Sequence, residues 1–132
     1  MAAPARRVRG EEGAAVVDFV LIMVLLVPLV LGVAQVALVL HVRNTVAAAA
    51  SEGARASAPL GATPSDGAAR TRRMIRDALA DRYADDVTAS RTTVGGVPAT
   101  VVVVRARVPA LGVLGPSVPI TVRGHAVSEV AP

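Results

Sequence analysis

The stretch AAVVDFVLIMVLLVPLVLGVAQVALVL, residues 14–40, decides the fold of this chain. It runs for 27 residues with one charged side chain, Asp18, and with one strongly polar uncharged side chain, Gln35. A helix needs about 20 apolar residues to cross a bilayer core of about 30 Å. The stretch therefore predicts a single membrane-spanning helix, with its transmembrane part at about residues 15–40.

Basic residues flank this stretch unevenly. Arg6, Arg7 and Arg9 precede it, whereas Arg43 follows it together with His41. The positive-inside rule counts arginine and lysine close to a span and gives acidic residues little weight. The asymmetry predicts a single-pass protein of the cell (inner or cytoplasmic) membrane, with its N-terminus in the cytoplasm and its C-terminal domain outside.

The helix is expected to continue beyond the membrane. Residues 41–58 contain no proline and are rich in alanine, which is the best helix former. A helix over residues 14–58 would be about 67 Å long, or about twice the hydrocarbon thickness. Pro28 predicts a kink, because it removes a backbone hydrogen bond, and Gly32 one turn later permits close helix packing. Both residues are also ordinary components of membrane helices.

A second helix is predicted after a break at residues 59–67. Thr63 is the expected cap, Pro64 occupies the first helical position, and Asp66 follows the cap by three residues. The predicted helix extends to about residue 84. Its apolar residues form one stripe, made of Met74, Ile75, Ala78, Leu79 and Tyr83. We interpret its charged residues as a solvated face.

Three strands are predicted where the apolar period changes from 3.6 to 2, at residues 87–94, 97–108 and 120–130. The Gly95-Gly96 pair predicts a hairpin turn between the first two strands. The inward-facing residues of the second and third strands are Thr100, Val102, Val104, Ala106, Val108, Ile120, Val122, Gly124 and Ala126. The segment PALGVLGPSVP, residues 109–119, is an apolar loop expected to cover its own sheet, with contact to a partner as the alternative.

These elements predict an α+β fold with a long N-terminal helix, one short helix and about three antiparallel strands. The predicted organisation is a basic leader over residues 1–13, a long helix over residues 14–58 and a small domain over residues 59–132.

Residue patterns that would support catalysis are missing. The chain has no cysteine, its two histidines are far apart in sequence, and it contains neither a G-x-S-x-G motif nor a phosphate-binding glycine loop. The net charge of +4 comes without lysine, and Phe19 and Tyr83 are the only aromatic residues. Nucleic-acid binding would instead favour a clustered basic face with stacking aromatics. We predict no enzymatic activity, no cofactor, no metal and no direct binding of nucleic acid.

Asp18 is the strongest local signal, because an ionisable group inside a membrane helix is a functional hypothesis by default. A cut between Gly13 and Ala14 would create an α-amino group that is positive near neutral pH. Asp18 would lie one helical turn from this amine and would pair with it or with the amine of a neighbouring subunit. Without a cut, Asp18 would lie near the cytoplasmic interface and be hydrated.

The segment RGEEGAAVVDFVLIMVLLVPLVLGVAQVALVLHVRNTVAAAASEGARASA, residues 9–58, resembles TadE-like proteins. These are pseudopilins, or minor pilins, of the tight-adherence (Tad, Flp-type) pilus machinery. The resemblance is carried by Gly13 and four small or apolar residues, then Asp18-Phe19, Pro28, Arg43-Asn44, and AAASEGAR ending at Arg55. It covers the long helix and implies a pilin-like architecture for the whole chain.

The resemblance implies several functional properties. A membrane-embedded prepilin peptidase would cut after Gly13, leaving Ala14 as the mature N-terminus and Asp18 at the fifth position. The family usually has glutamate there, so the side chain of this protein is one methylene shorter. The implied role is assembly of a surface pilus for adhesion or DNA uptake. The implied partners are the membrane, other pilins or pseudopilins, Tad inner-membrane assembly proteins and the peptidase.

Two other interpretations of the sequence remain. The first is a single-pass signal-anchored membrane protein with an extracytoplasmic protein-interaction domain and an uncut N-terminus. The second is a secreted domain released after Ala58, where ARASA offers a site of the A-x-A type. The apolar run is too long for a signal-peptide core and ends about 18 residues before that site, which disfavours the second interpretation.

Overall fold

The computed structural model describes residues 9–112 and 115–131. Its elements are α1 (Arg9–Ala56), α2 (Pro64–Ala78), a 3-10 turn (Asp81–Ala84), β1 (Asp86–Val94), β2 (Val97–Val108) and β3 (Val118–Val127). The three strands form one antiparallel sheet in the order β1-β2-β3. The predicted α+β class, with a long apolar N-terminal helix, a short helix and a three-stranded sheet, is confirmed.

Helix α1 has 48 residues and is about 72 Å long at 1.5 Å per residue. It is helical from Arg9, the first residue that the structure describes, and Gly13 does not interrupt it before the predicted start at Ala14. Its first half exposes large apolar side chains. Its second half buries one face, made of Val42, Val46, Ala49, Ala50 and Ala54. One helix thus has two environments.

The sheet has the predicted hairpin between β1 and β2. Gly95 and Gly96 have φ values of +59° and +82°, and glycine adopts such angles without the steric cost of a side chain. Strand β3 begins at Val118, two residues earlier than predicted, because Val118 still pairs with Val108 of β2. Pro119 is accommodated because β3 is an edge strand of the sheet.

The core lies between the sheet and the second half of α1. The predicted inward face of β2 and β3 is confirmed, since all nine residues are buried or half-buried. At Gly124 the backbone of β3 approaches the backbone of α1 so closely that an added Cβ would overlap Ala50 and Ser51. Strand β3 therefore lies directly on α1, which covers the sheet that β3 helps to form.

Helix α2 crosses α1 at a pair of glycines. A Cβ on Gly53 would overlap Thr71 and the carbonyl of Gly67, and a Cβ on Gly67 would overlap Ser57 and the carbonyl of Gly53. The fully buried Thr71 donates its hydroxyl to the carbonyl oxygens of Gly67, at 2.9 Å, and Ala49, at 3.3 Å. Gly53 is the glycine of the AAASEGAR segment, so this segment has a packing role.

The predicted extent of the second helix was wrong at its C-terminal end. Helix α2 ends at Ala78 rather than near residue 84, and Tyr83 reaches the core from the separate 3-10 turn. Ala78 is therefore exposed, although it was placed in the apolar stripe. Arg72 also departs from the predicted solvated face, because its guanidinium donates to the carbonyl oxygen of Val87 at 2.7 Å.

The start of α2 has the predicted cap. The carboxylate of Asp66 accepts hydrogen bonds from the hydroxyl of Thr63 at 2.7 Å and from the backbone N–H of Thr63 at 2.8 Å. The backbone N–H of Asp66 donates in return to the Thr63 hydroxyl at 3.4 Å. The side-chain bond to Thr63, followed by the backbone bond, holds the pKa of Asp66 below its usual value.

We expect this cap to make stability depend on pH in the acid range. A carboxyl group with a lowered pKa in the folded state stabilises the fold above its unfolded pKa of about 3.9, and this contribution is lost as the pH falls through the folded value. Asp66→Asn should therefore reduce the loss of unfolding free energy below about pH 4, as measured by denaturant titration at several pH values. Ser65→Ala, which retains the Thr63–Asp66 bonds, should keep the wild-type pH dependence. An Asp66→Asn profile identical to wild type would contradict the prediction.

Candidate assembly surface on the N-terminal helix

The predicted cleavage site lies inside α1 and on its surface. The helix continues without a break through Gly13 and Ala14, and both residues are exposed. A Cβ added at Gly10 or Gly13 would meet no atom within 4 Å. A cut at this point would therefore remove no tertiary contact from the described residues.

Asp18 and Phe19 follow the site by about one helical turn. Asp18 lies four residues after Ala14, which corresponds to a rise of about 6 Å. Both side chains are exposed, with Phe19 61% accessible, and Asp18 forms no ion pair within residues 9–112 and 115–131. In this uncut chain the nitrogen of Ala14 is a peptide nitrogen, so it carries no positive charge for the carboxylate to pair with.

Pro28 and Gly32 lie one turn apart on an exposed apolar face. The helix continues through Pro28, and a Cβ at Gly32 would meet nothing within 4 Å. They line an open groove along the helix together with Leu29, Val33, Val36, Ala37 and Leu40. The space beside Gly32 is thus open to another helix or to lipid, while the predicted kink at Pro28 stays a prediction.

The exposed half of α1 is long and apolar enough to cross a membrane. None of its most apolar 18-residue window is buried inside the protein, whereas the core helix of a soluble protein would bury such a window. Large exposed apolar patches mark contacts with membranes or other proteins. The surface from Val16 to Leu40 is therefore the candidate functional surface of this protein.

Comparison with known families identifies this helix. The family model described as TadE-like protein matches residues 13–55. Residues 13–55 are therefore similar to TadE-like proteins. No match was found among curated proteins or among solved structures.

The TadE-like match accounts for α1 and for about a third of the chain. Together with the exposed apolar helix it fits a membrane protein associated with the Tad pilus. TadE-like proteins are pilus components rather than a known family of enzymes. The match ends at Arg55, so it assigns nothing to α2 or to the sheet.

Outside the TadE-like region, the described residues contain no group of three or more histidine, cysteine, aspartate or glutamate side chains suited to a metal ion. Asp85 and Asp86 are exposed and line an open groove of about 490 Å³ with three arginines, namely Arg82, Arg105 and Arg107. His125 is exposed on the outer face of β3, as predicted.

The sequence did not predict one contact of α1. Gln35 accepts a hydrogen bond from the backbone N–H of Leu111 at 2.7 Å, and its amide nitrogen donates to the carbonyl oxygen of Pro109 at 3.2 Å. The described part of the apolar loop thus lies beside α1, whereas the sequence predicted that it would cover its own sheet. The sequence marks both partners, as a polar residue in an apolar span and an apolar loop, but the partners are 76 and 74 residues apart.

Proposed function

We propose that this TadE-like protein is a pseudopilin, or minor pilin, that takes part in assembling a Tad (Flp-type) surface pilus. The observation that carries the proposal is the continuity of α1. Its first half is apolar and exposed, and its second half forms the core of the C-terminal part. A subunit of this shape is held by the membrane before assembly and offers the same apolar surface to neighbouring subunits afterwards.

The proposal includes cleavage by a prepilin peptidase between Gly13 and Ala14. Support comes from the family match, which begins at residue 13, the last residue of the proposed leader. Further support comes from the exposure of the site and from the lack of tertiary contacts at Gly10 and Gly13. Cleavage would place a positive amine one turn from Asp18, where the helix macrodipole also favours a negative charge.

In this proposal the leader is residues 1–13, the long helix is residues 14–58 with its span at about 15–40, and the extracytoplasmic domain is residues 59–132. The N-terminus is in the cytoplasm, in accordance with the arginines of the leader. Asp18 and Phe19 contact neighbouring pilins or pseudopilins, and Pro28 and Gly32 shape the packing face. Tad inner-membrane assembly proteins and the peptidase are the further partners.

The alternative is a single-pass signal-anchored membrane protein with an extracytoplasmic protein-interaction domain. The exposed apolar helix fits this alternative equally well, so processing of the N-terminus is what separates the two. A secreted domain cut after Ala58 fits poorly. Such a cut would remove Val42, Val46, Ala49, Ala50 and Ala54, which form the helix side of the core.

We expect the protein from its native membrane to begin at Ala14. Intact-mass measurement and N-terminal sequencing would test this in cells that contain the prepilin peptidase. Gly13→Val should block the cut, whereas the matched control Gly10→Val should not. Both positions are exposed in the same helix and an added Cβ has no neighbour at either, so neither change disturbs the fold.

A mature chain that retains the leader in the presence of the peptidase would contradict the proposal and support the signal-anchored alternative. A chain beginning at residue 59 would support secretion. Cleavage of the Gly13→Val variant at Ala14 would contradict the role of Gly13 in recognition.

A further inference from the structure

The segment between β2 and β3 lies beside the apolar half of α1. Its described residues, 109–112 and 115–117, are called here the membrane loop. The side-chain amide of Gln35 binds the loop backbone at Pro109 and Leu111. Further down the helix, a Cβ added at Gly112 would lie 3.9 Å from Leu31. The loop therefore reaches past Gln35 toward the N-terminus of α1.

We infer that the membrane loop is immersed in the outer leaflet of the bilayer and contacts lipid acyl chains there. The inference rests on the proposed membrane span. That span ends near residue 40, so Gln35 lies about 7 Å and Leu31 about 13 Å below its outer end at 1.5 Å per residue. A loop that lies beside both residues is therefore within the length of the proposed span.

Two polar groups of the loop backbone have partners on α1. Non-helical backbone is tolerated at membrane depth only where its polar groups are satisfied by protein or by water. The Gln35 side chain hydrogen-bonds to the loop through both atoms of its amide: the oxygen accepts from Leu111 and the nitrogen donates to Pro109. Pro109 and Pro116 have no backbone N–H, which removes two donors that would otherwise need partners.

The sequence of this segment is also apolar. Residues 109–119 contain no charged residue, and Ser117 is the only one with a polar side chain. Leu111 is 40% exposed, and a groove of about 500 Å³ separates the loop from α1. Pro28, Leu31 and Gly32 line the groove on the helix side, and Ala110, Leu111 and Pro116 line it on the loop side. This lining is continuous with the exposed apolar surface of α1, which the proposed span places in lipid before assembly, so acyl chains are the expected occupant at that stage.

Charged residues above the loop agree with a lipid partner. Arg105 and Arg107 are exposed on the end of β2 that leads into the loop, and Arg43 is exposed on α1 three residues after the proposed span. Long arginine side chains near a membrane surface keep their charged heads in water or the headgroup layer while their stems cover apolar surface. The loop and these arginines together form an apolar tip with a basic rim.

The test uses the full chain in liposomes and benefits from the absence of cysteine. Single cysteines are introduced by Leu111→Cys in the loop, Val24→Cys in the span and Thr93→Cys near the opposite end of the sheet. Each is labelled with an environment-sensitive fluorophore, and quenching by nitroxide-labelled acyl chains is measured. We expect the probe at position 111 to show a blue-shifted emission and a loss of intensity comparable to that at position 24. The probe at position 93 should remain water-exposed and unquenched.

The possible outcomes distinguish failure of the loop inference from failure of the proposed membrane span. Quenching at position 24 without quenching at position 111 would overturn the inference and leave the membrane span intact. The same pattern of quenching is expected if a second copy of the chain, instead of lipid, fills the groove. Absence of quenching at position 24 would contradict the span itself. These results do not depend on N-terminal processing.

A second variant tests the contact that holds the loop. Gln35→Leu removes both hydrogen bonds to the loop and should reduce lipid quenching of the probe at position 111. Val36→Leu changes the adjacent exposed residue and should leave the quenching unchanged. Equal quenching in Gln35→Leu and Val36→Leu would show that Gln35 does not hold the loop in the leaflet.

Discussion

Gly124→Ala is expected to lower the free energy of unfolding of the C-terminal part by about 3 kcal/mol, the upper end of the usual cost of overpacking. The added methyl group would overlap the backbone of Ala50 and Ser51 rather than a movable side chain. Relief therefore requires β3 to move away from α1, which would open the core around Val46 and Val122. Denaturant unfolding of the full chain in detergent micelles, followed by the fluorescence of its single tyrosine, Tyr83, would measure the loss.

A loss of stability in Gly124→Ala would be opposite in sign to the usual effect of replacing glycine by alanine. In an ordinary element interior, replacing glycine by alanine is favourable by about 0.5–1 kcal/mol. A stabilised Gly124→Ala protein would therefore contradict the close approach of β3 to α1. His125→Ala changes the next residue on the exposed face of the same strand and should alter stability by less than about 0.5 kcal/mol.

Asp18→Ala is expected to reduce strongly the entry of the protein into pili while leaving its insertion in the membrane intact. In the proposed filament the carboxylate pairs with the amine of Ala14 inside an apolar surrounding. Removing one partner of such a pair leaves an uncompensated charge and costs about 3–5 kcal/mol, which corresponds to a loss of about a hundredfold or more in assembly. Electron microscopy of surface pili and co-purification with other pilins would measure the loss, and membrane fractionation would measure insertion.

A conservative variant separates charge from reach. Asp18→Glu keeps the carboxylate and adds one methylene, so it should retain assembly. Asp18→Asn keeps the size but not the charge and should fail as Asp18→Ala does. Normal piliation with Asp18→Ala would rule out the proposed role of the carboxylate.

Local pattern was sufficient to predict most of the fold. The length of the apolar run predicted α1, and the period-2 alternation from Thr100 to Val108 predicted both the strand and its buried face. The Thr63–Asp66 cap was predicted from residue types alone, because it depends only on neighbours within one helical turn. The errors lie at element ends, as at Ala78, where tertiary contacts decide whether the helix continues.

Long-range contacts could not be predicted in the same way. Two contacts join segments that are distant in sequence: the crossing of α1 and α2 at Gly53 and Gly67, and the hydrogen bonds of Gln35 to the loop. In neither contact does the local sequence of one partner predict which residue it meets. The same holds for the candidate site, whose residues could be predicted but whose partners could not. Its residues could be found because they lie within one helix, whereas the proposed pairing of Asp18 needs an amine that only a cut at Ala14 creates.

The contact between β3 and α1 has a consequence for the order of synthesis. The packing face of α1 leaves the ribosome long before β3, yet β3 supplies the strand that lies against it. In the proposed orientation the sheet must therefore cross the membrane before it can pack against α1. The domain can complete its folding only on the outer side of the membrane. Until then the alanine face of α1 is uncovered, and this interval is when a dedicated assembly factor would be able to recognise it.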